Sequence, residues 1–501
     1  KVALAKARLA AASAAAPETA PVESWPVIGG NNAHAALLPP LDGIAPQPRL
    51  ACRFEGQGNA AAQRAWGTRP RSMRRFDMSY GGFTRDDVYS EMLPVAEDGK
   101  LVVTTPNSIA CYAIGPQGGE RLWYQGPPPP SQSGATVGAG LLWPHADLNA
   151  DIYYSATIAG GRVFASYIKT MSKFDSYRGI PIQEPIATRR LLCFDLRTGK
   201  VLWDHAQSPD EFLLSASVPL PPVVRDGMVF ASAILGTLRR EGAFKCDLIA
   251  CDAATGKLLW KRFLGSAQME LTMFGEPARE PFAMQPAERN GIVYCCSGMG
   301  TIIAASALTG DVEWEVAYDT IPIEPARTYY AVMRDLVWRN EPPLVADGTL
   351  VVTPIDSDKA YAFDAATGEL RWSFDGRQTS MRRLLGVDAG KAIFQGDRIL
   401  AQDIRTGKRV LEFPRDAGFG EEETGRGLIC GGVALVPLST RVARVDLRRG
   451  ERLAELPIAG GIRDSGALLY LGKDLITVNP QRASVYQTIS APAAPAPAGA
   501  R

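Results

Sequence analysis

Several residue types that build catalytic and metal sites are scarce in this chain of 501 residues. It has eight cysteines and three histidines. So few cysteines argue against a disulfide framework, and no C-x-x-C-H or paired C-x-x-C motif indicates covalent haem or structural zinc. The histidines, His34, His145 and His205, are far apart in the sequence. A histidine metal site or a Ser-His-Asp triad is therefore poorly supplied.

An excess of one charge and long apolar runs are also absent. The 54 basic and 53 acidic residues leave a net charge of +1, which gives no electrostatic footprint for nucleic acid or an anionic membrane. No apolar run reaches the roughly eighteen residues that a membrane-spanning helix needs, so no transmembrane segment is predicted. The first residues do not show the regions of a signal peptide. The sequence leaves open whether Lys1 follows a removed leader or an upstream domain.

What the chain does contain is a repeat, read most clearly as A-F-D-A-A-T-G-E-L-R-W at residues 362–372. Ser306 replaces the Asp in one copy, and Leu411 and Ala454 replace the Trp in the last two. The copies recur at intervals close to the roughly 40 to 50 residues of a propeller blade. The other copies lie at residues 111–123, 193–203, 250–260, 304–314, 401–411 and 444–454.

Each copy predicts a β-hairpin. Apolar residues such as 248–251 precede the Asp and indicate a strand. The Asp-x-x-Thr-Gly segment is typical of a turn, because Asp can bond the backbone two residues on and Gly takes a positive φ without steric cost. The Trp at the end of the returning strand offers an apolar plate to the next unit. A solenoid also fits the period, but Gly and Pro between the repeats favour all-β blades.

The repeated A-x-D-x-x-T-G-x-x-x-W resembles the tryptophan-docking repeat of pyrroloquinoline-quinone-type (PQQ-like) β-propellers, over about residues 46–487. The resemblance implies an all-β, eight-bladed β-propeller of four-stranded antiparallel blades. This fold serves both quinone-dependent dehydrogenases and non-catalytic scaffolds, so it says little about activity. The residues that the resemblance assigns to inter-blade docking are Trp123, Trp203, Trp260, Trp314 and Trp372.

Three segments are predicted along the chain. Residues 1–45 form an Ala/Pro-rich N-terminal helix and linker, residues 46–487 the propeller, and residues 488–501 an Ala/Pro-rich tail. Residues 48–54, P-R-L-A-C-R-F, are predicted to be a strand that pairs with the last blade. Closing the ring with both chain ends in one blade leaves no unpaired seam.

Cys295 and Cys296 are the candidate cofactor-binding residues. In quinone-dependent alcohol dehydrogenases of this fold, a disulfide between adjacent cysteines lies over the cofactor, and the resemblance extends that role to this pair. The two residues follow a strand, however, where successive side chains point to opposite faces. Because free cysteine behaves as a small apolar residue, we expect packing and no cofactor, and leave open whether the two form a disulfide.

Asp147, Asn149 and Asp151 are the candidate metal ligands, because they have the alternate-residue spacing of a calcium loop. Ile152 stands where that signature needs Gly, and Ile158 stands at its twelfth position. Turn capping is the favoured interpretation, and no metal is expected.

Two acidic groups have simpler interpretations than catalysis. Asp356 and Asp358 resemble an acid pair, but their position before a strand favours capping of a loop. The run at residues 421–423 is predicted to be a solvated loop.

The prediction for function is a non-enzymatic protein-binding scaffold, or structural subunit, of a periplasmic, cell-envelope or extracellular assembly. The chain resembles the propeller lipoprotein of the outer-membrane barrel assembly machinery, although no lipidated N-terminal cysteine is visible. Protein partners are expected, nucleic acid is not, and residues 174–186 and 321–330 are the predicted contact surfaces. The alternative is a PQQ-dependent alcohol or sugar dehydrogenase.

Overall fold

The structure is a computed structural model that describes part of the chain. The described residues are 24–25, 27–32, 34–41, 43–54, 92–105, 108–116, 118–126, 153–167, 175–177, 180–182, 189–236, 243–268, 270, 283–323, 334, 336–416, 418–421, 423–439, 441–456, 466–479 and 482–489.

The described residues form eight antiparallel blades, which confirms the predicted eight-bladed β-propeller. In each blade the strands run in chain order from the axis outward, and we call them A to D. Blade 1 contains Val95–Glu97, Lys100–Thr104, Ile109–Ala113 and Arg121–Gln125. Blade 2 contains Tyr154–Ala159, Arg162–Tyr167, Arg190–Asp195 and Val201–Asp204. Blade 3 contains Val223–Arg225, Met228–Gly236, Ala243–Asp252 and Leu258–Gln268. Blade 4 contains Ala287–Arg289, Ile292–Cys296, Thr301–Ser306 and Val312–Ala317.

The remaining blades follow the same order. Blade 5 contains Leu344–Ala346, Thr349–Val352, Lys359–Asp364 and Leu370–Asp375. Blade 6 contains Met381–Asp388, Lys391–Gly396, Ile399–Asp403 and Arg409–Phe413. Blade 7 contains Leu428–Cys430, Val433–Pro437, Val442–Asp446 and Glu451–Leu456. Blade 8 contains Ala467–Leu471, Asp474–Val478 and Arg482–Ile489, completed by Gly43–Ile44 and Leu50–Arg53.

Blade 8 closes the ring with strands from both ends of the sequence. Leu50–Arg53 and Gly43–Ile44 both pair antiparallel with Arg482–Ile489 and together form its outermost strand. This confirms the predicted closure by an N-terminal strand. Two further short strands add to the axial side of the ring: Ser24–Trp25 pairs with strand A of blade 1, and Met92–Leu93 pairs in parallel with strand A of blade 2.

Local sequence explains the hairpins and the burial. Turns between strands A and B use pairs such as Asp226-Gly227 and Asp347-Gly348, with positive φ at both residues, as two-residue hairpins require. Strands B and C are buried on both faces because each blade packs between two neighbours, whereas strand D alternates: Trp314 is buried between exposed acidic residues.

Helix is a minor element in the described part of the chain. It is confined there to a 3-10 turn at His205–Gln207 and short helices at Glu211–Ser215 and Gly376–Thr379, and a separate two-stranded hairpin pairs Asp175–Tyr177 with Ile180–Ile182. None of the described helices is long and apolar enough to cross a membrane.

Candidate functional site

The docking tryptophans join blades 1 to 6, each to the next, through one repeated contact. The indole Nε1 of Trp314 donates to Ala365 O of blade 5 at 3.0 Å. A Cβ added at Gly368 would lie 2.8 Å from that indole ring, so the Gly of the Thr-Gly turn leaves the space in which the Trp packs. The same bond joins Trp123 to Leu196 O, Trp203 to Ala253 O, Trp260 to Ala307 O and Trp372 to Ile404 O, at 2.8 to 3.1 Å.

The junction of blades 6 and 7 replaces this contact with a different donor. Leu411 stands in the Trp position, and its side chain has no N–H that could donate a hydrogen bond. The carbonyl of Leu447, which corresponds to the Trp acceptors of the other junctions, instead accepts from Lys391 Nζ at 3.0 Å. Donors from strand B also reach this carbonyl where the Trp is present, as Arg162 does at Ala253 O. At blades 6 and 7 the strand B bond therefore remains after the indole is lost, and the buried carbonyl keeps a partner.

In the C–D turns that contain the Asp of the repeat, this residue holds the turn. Asp252 Oδ1 accepts from Thr255 N at 2.8 Å and from Thr255 Oγ1 at 2.7 Å. The hydroxyl bond is the main reason why the pKa of Asp252 lies below its ordinary value, and Asp403 has the same arrangement with Thr406. These carboxylates therefore stabilise the turns, because their charged form accepts hydrogen bonds from the Thr three residues on.

Cys295 and Cys296 lie on opposite faces of blade 4, and both are fully buried. Cys295 packs in the core between blades 3 and 4, with Sγ 3.3 Å from Ser232 Oγ. Cys296 packs in the core that continues into blade 5, with Sγ 3.5 Å from Tyr318 OH. Both thiols are free. Burial raises the pKa of Cys295 to about 12 and raises that of Cys296 further.

This arrangement does not fit the cofactor lid that the family resemblance implies. Two side chains that point into separate inter-blade cores cannot together cover one face of a planar quinone. Alternation along a strand, which places neighbours on opposite faces, is the physical cause. We therefore derive no chemistry through a quinone from this pair.

Asp356 and Asp358 also point apart. Asp356 is buried and accepts from Tyr318 OH at 2.6 Å, and burial raises its pKa. Asp358 is partly exposed and pairs with Arg377 Nη2 at 2.7 Å. The buried chain from Cys296 through Tyr318 to Asp356 joins blades 4 and 5. Sequence reasoning missed it, because Tyr318 follows strand D outside any motif.

The histidines that the structure describes are bound to the backbone. Leu191 N donates to His205 Nδ1 at 2.9 Å, and the opposite ring nitrogen donates to Ala216 O at 3.0 Å. His34 lies near the axis between two carbonyl groups. His145 and the candidate metal ligands Asp147, Asn149 and Asp151 lie outside the described residues. Within the described ranges, no group of three or more His, Cys, Asp or Glu side chains could hold a metal ion.

A buried ionic network joins strands near the axis of blades 5 to 7. Glu341 accepts from Arg383 Nη1 and from Arg426 Nε, each at 2.9 Å. Gln395 Nε2 donates to Glu423 at 2.9 Å. The prediction of a solvated loop is wrong for Glu423, whose side chain is 11% exposed. Buried charges need partners to be tolerated, and here each carboxylate meets a donor from another blade or strand.

The predicted contact surfaces lie only partly in the described residues. In the range 174–186 the structure describes the hairpin of Asp175–Tyr177 and Ile180–Ile182. In the range 321–330 it describes residues 321–323, where Ile321 N donates to Asp356 O at 2.7 Å. The other residues of both surfaces lie outside the described part of the chain.

Comparison with protein families gives one match that spans most of the ring. The model described as outer membrane protein assembly factor BamB, of the PQQ-like repeat type, matches residues 85–339 and 247–488. Among curated proteins, 1-butanol dehydrogenase (quinone) from Thauera butanivorans is 30% identical over 133 residues. That match covers 25% of this chain and 19% of the dehydrogenase, so the chain spans about a fifth of the length of this relative.

Solved structures share the fold at low identity. Quinohemoprotein alcohol dehydrogenase ADHIIG from Pseudomonas putida HK5 is 15% identical, with a TM-score of 0.54 over 99% of this chain and 84% of its own. The quinohemoprotein alcohol dehydrogenase from Comamonas testosteroni is 12% identical, with a TM-score of 0.52 over 96% and 84%. BamB from Moraxella catarrhalis is 14% identical, with a TM-score of 0.49 over 79% and 96%. Identities this low show the fold alone.

Proposed function

Because the chain belongs to the PQQ-like propeller family described as outer membrane protein assembly factor BamB, we propose that it is a non-enzymatic protein-binding scaffold or structural subunit. Its assembly would lie in the periplasm, the cell envelope or outside the cell. The partner is a protein, and the ring supplies a rigid platform from which loops make contact.

The separation of Cys295 and Cys296 carries this proposal. The alternative function, a quinone-dependent alcohol or sugar dehydrogenase, would use the pair as a lid over the cofactor. Both thiols are instead committed to inter-blade packing, and their raised pKa values keep them protonated near neutral pH. A thiol in that state is unreactive, so the pair behaves as part of the core.

Three observations favour the dehydrogenase as the second candidate. The local match to 1-butanol dehydrogenase (quinone) reaches 30% identity, and the alcohol dehydrogenase folds from Pseudomonas putida and Comamonas testosteroni cover nearly the whole chain. The buried carboxyl group of Asp356, whose pKa is raised by burial beside Tyr318, is also the kind of perturbed group that occurs in active sites.

A dye-linked assay of alcohol oxidation separates the two functions. The purified protein is supplied with pyrroloquinoline quinone and calcium, and dye reduction is followed with short alcohols and sugars as substrates. We expect no rate above that of a control without protein, and no effect of Cys295→Ala. Turnover that depends on quinone, protein and Cys295 together would reject the scaffold in favour of the dehydrogenase.

Gentle isolation from the native source tests the binding function. We expect a protein partner in constant ratio to the chain, and weaker capture after deletion of residues 174–186 or 321–330. Leu308→Ser is the matched control, because Leu308 is 73% exposed in a C–D turn at the other end of blade 4. Capture that survives both deletions would refute these contact surfaces.

A further inference from the structure

The N-terminal residues 27–32 and 34–41, which we call the axial segment, bind opposite sides of the ring. The side-chain amide of Asn32 donates to Val224 O of blade 3 at 2.9 Å. The backbone carbonyl of Asn32 accepts from Glu288 N of blade 4 at 2.8 Å. Leu38 forms a parallel bridge with Cys430 of blade 7. Blades 3 and 7 face each other across a ring of eight, so a segment that bonds to both must cross the axis.

The contacts of Asn32 and Leu38 lie near the A–B turns, at one end of strands A. Val224 and Glu288 are each two residues from the A–B turn of their blade, and Gly431, which donates to Leu38 O at 3.1 Å, is in the turn itself. Ser24–Trp25 pairs with residues 96–97, beside the A–B turn of blade 1. Ile28 and Gly29 lie at the opposite end of strands A, beside Leu93, Arg426 and Ala467, so the axial segment occupies the axis from one end of strands A to the other.

Apolar side chains of the axial segment complete three separate cores. Ile28 packs in a cluster with residues that lie where strands A of blades 1, 2, 3 and 8 begin. Ala35 packs in the core of blades 4 to 6, and Leu38 and Leu41 pack in the core of blades 7, 8 and 1. All four are buried. Distribution over three cores is what an integral part of the ring shows, because a loop lying on the surface would bury one face at most.

Polar groups of the axial segment also have hydrogen-bond partners. Asn31 Oδ1 accepts from Ala35 N at 3.0 Å, and His34 Nε2 lies 2.9 Å from Pro286 O. Below the segment, a cavity of about 10 Å³ lined by Ile28, Gly29 and Arg426 has room for roughly one water. Small-molecule sites need on the order of 300 Å³ or more.

We propose that the axial segment is a built-in plug: it fills the channel between the two ends of strands A and ties opposite blades together. The proposal goes beyond the scaffold function and holds for either candidate function, because it concerns what fills the axis.

Gly29→Ala is the variant that tests the plug. Gly29 has φ +76°, and an added Cβ would lie 2.7 Å from the Cα of His34, which is backbone and cannot rotate away. Gly43→Ala is the matched control in the same N-terminal region, since a Cβ there meets nothing within 4 Å. Gly29 lies outside the strands, and Gly43 lies in the outermost strand of blade 8, so neither substitution alters the inner strands of the ring.

Amide hydrogen exchange at single-residue resolution is the measurement. In the wild type we expect the amides of Glu288 and Gly431, which donate to the axial segment, to exchange on the order of a hundredfold more slowly than in an unfolded chain. Gly29→Ala should accelerate both by about tenfold or more. Gly43→Ala should leave both exchange rates unchanged. The amide of Ala365, which donates to Gly348 O within blade 5, should exchange at the same rate in every variant.

A milder variant keeps the test decisive if Gly29→Ala does not fold. Asn32→Ala removes the side-chain bond to Val224 O and retains the backbone, so we expect about a fivefold acceleration at Glu288, the effect of one net hydrogen bond. Unfolded-like exchange of the axial segment in the wild type, or unchanged protection at Glu288 and Gly431 in a folded Gly29→Ala or Asn32→Ala variant, would overturn the proposal.

Discussion

Substituting the turn glycine of blade 5 isolates the energy of one tryptophan-docking contact. Gly368 and Gly390 have the same φ, +73°, and both are in tight turns. An added Cβ at Gly368 would lie 2.8 Å from the ring of Trp314, whereas at Gly390 it would meet nothing within 4 Å. Gly390→Ala therefore carries the backbone cost alone, and Gly368→Ala carries the same cost together with the collision.

The expected magnitudes follow from these geometries. Alanine in the left-handed region costs about 1 to 2 kcal/mol, and this applies to both variants. Overpacking a filled site adds about 1 to 3 kcal/mol, and this applies only to Gly368→Ala. Displacing the indole also stretches the bond from Trp314 to Ala365 O, so we expect the upper half of that range.

Urea denaturation followed by far-ultraviolet circular dichroism measures the difference. We expect the free energy of unfolding of Gly368→Ala to be about 2 to 3 kcal/mol lower than that of Gly390→Ala. The double variant Gly368→Ala with Trp314→Ala should recover part of the loss, because the smaller side chain removes the collision. Equal losses for the two single glycine variants would refute the docking contact as the source of the glycine requirement.

Four further substitutions or conditions test other parts of the structure. Trp314→Ala should lower the free energy of unfolding by about 3 to 5 kcal/mol, measured by urea denaturation, and a loss below about 1 kcal/mol would contradict tight docking. Lys391→Met should cost about 1 kcal/mol because Leu447 O loses its donor, and adding Leu411→Trp should restore this loss. Glu341→Gln removes the carboxylate that two buried arginines share, although Arg383 keeps Glu423 at 3.5 Å. It should cost about 3 to 5 kcal/mol, whereas an unchanged transition midpoint would contradict the burial of this network. Burial lowers the pKa of His205 below its ordinary 6.5, so the stability that its neutral form contributes is present above pH 6.5 and is lost as the pH falls through the lowered pKa. A urea midpoint that stays constant from pH 7 to pH 5 would contradict this.

The repeat made the ring predictable because its contacts are regular. The Trp of one copy meets the Gly of the next copy, so both partners of the contact are visible in the sequence at a fixed spacing. Trp203 and Gly256 are one such pair. The alternation along strand B likewise predicted that Cys295 and Cys296 would face opposite ways, and their surroundings follow from that.

Contacts between distant parts of the chain left no local signal. Asn32 bonds to Glu288, and neither residue belongs to a repeat. The pairing of Lys391 with Leu447 O was equally hidden, because a lysine at the start of a strand usually lies in solvent. Glu423 was misjudged for a related reason: acidic runs are usually solvated, but here Gln395 holds the carboxylate inside the ring.

A titration with pyrroloquinoline quinone tests the account most directly. The full chain is mixed with the quinone in the presence of calcium, and the heat is measured by calorimetry. A scaffold whose adjacent cysteines are divided between two cores should give no saturable heat for the wild type and none for Cys296→Ala. Binding of one quinone per chain, weakened by Cys296→Ala, would contradict the account and favour the dehydrogenase.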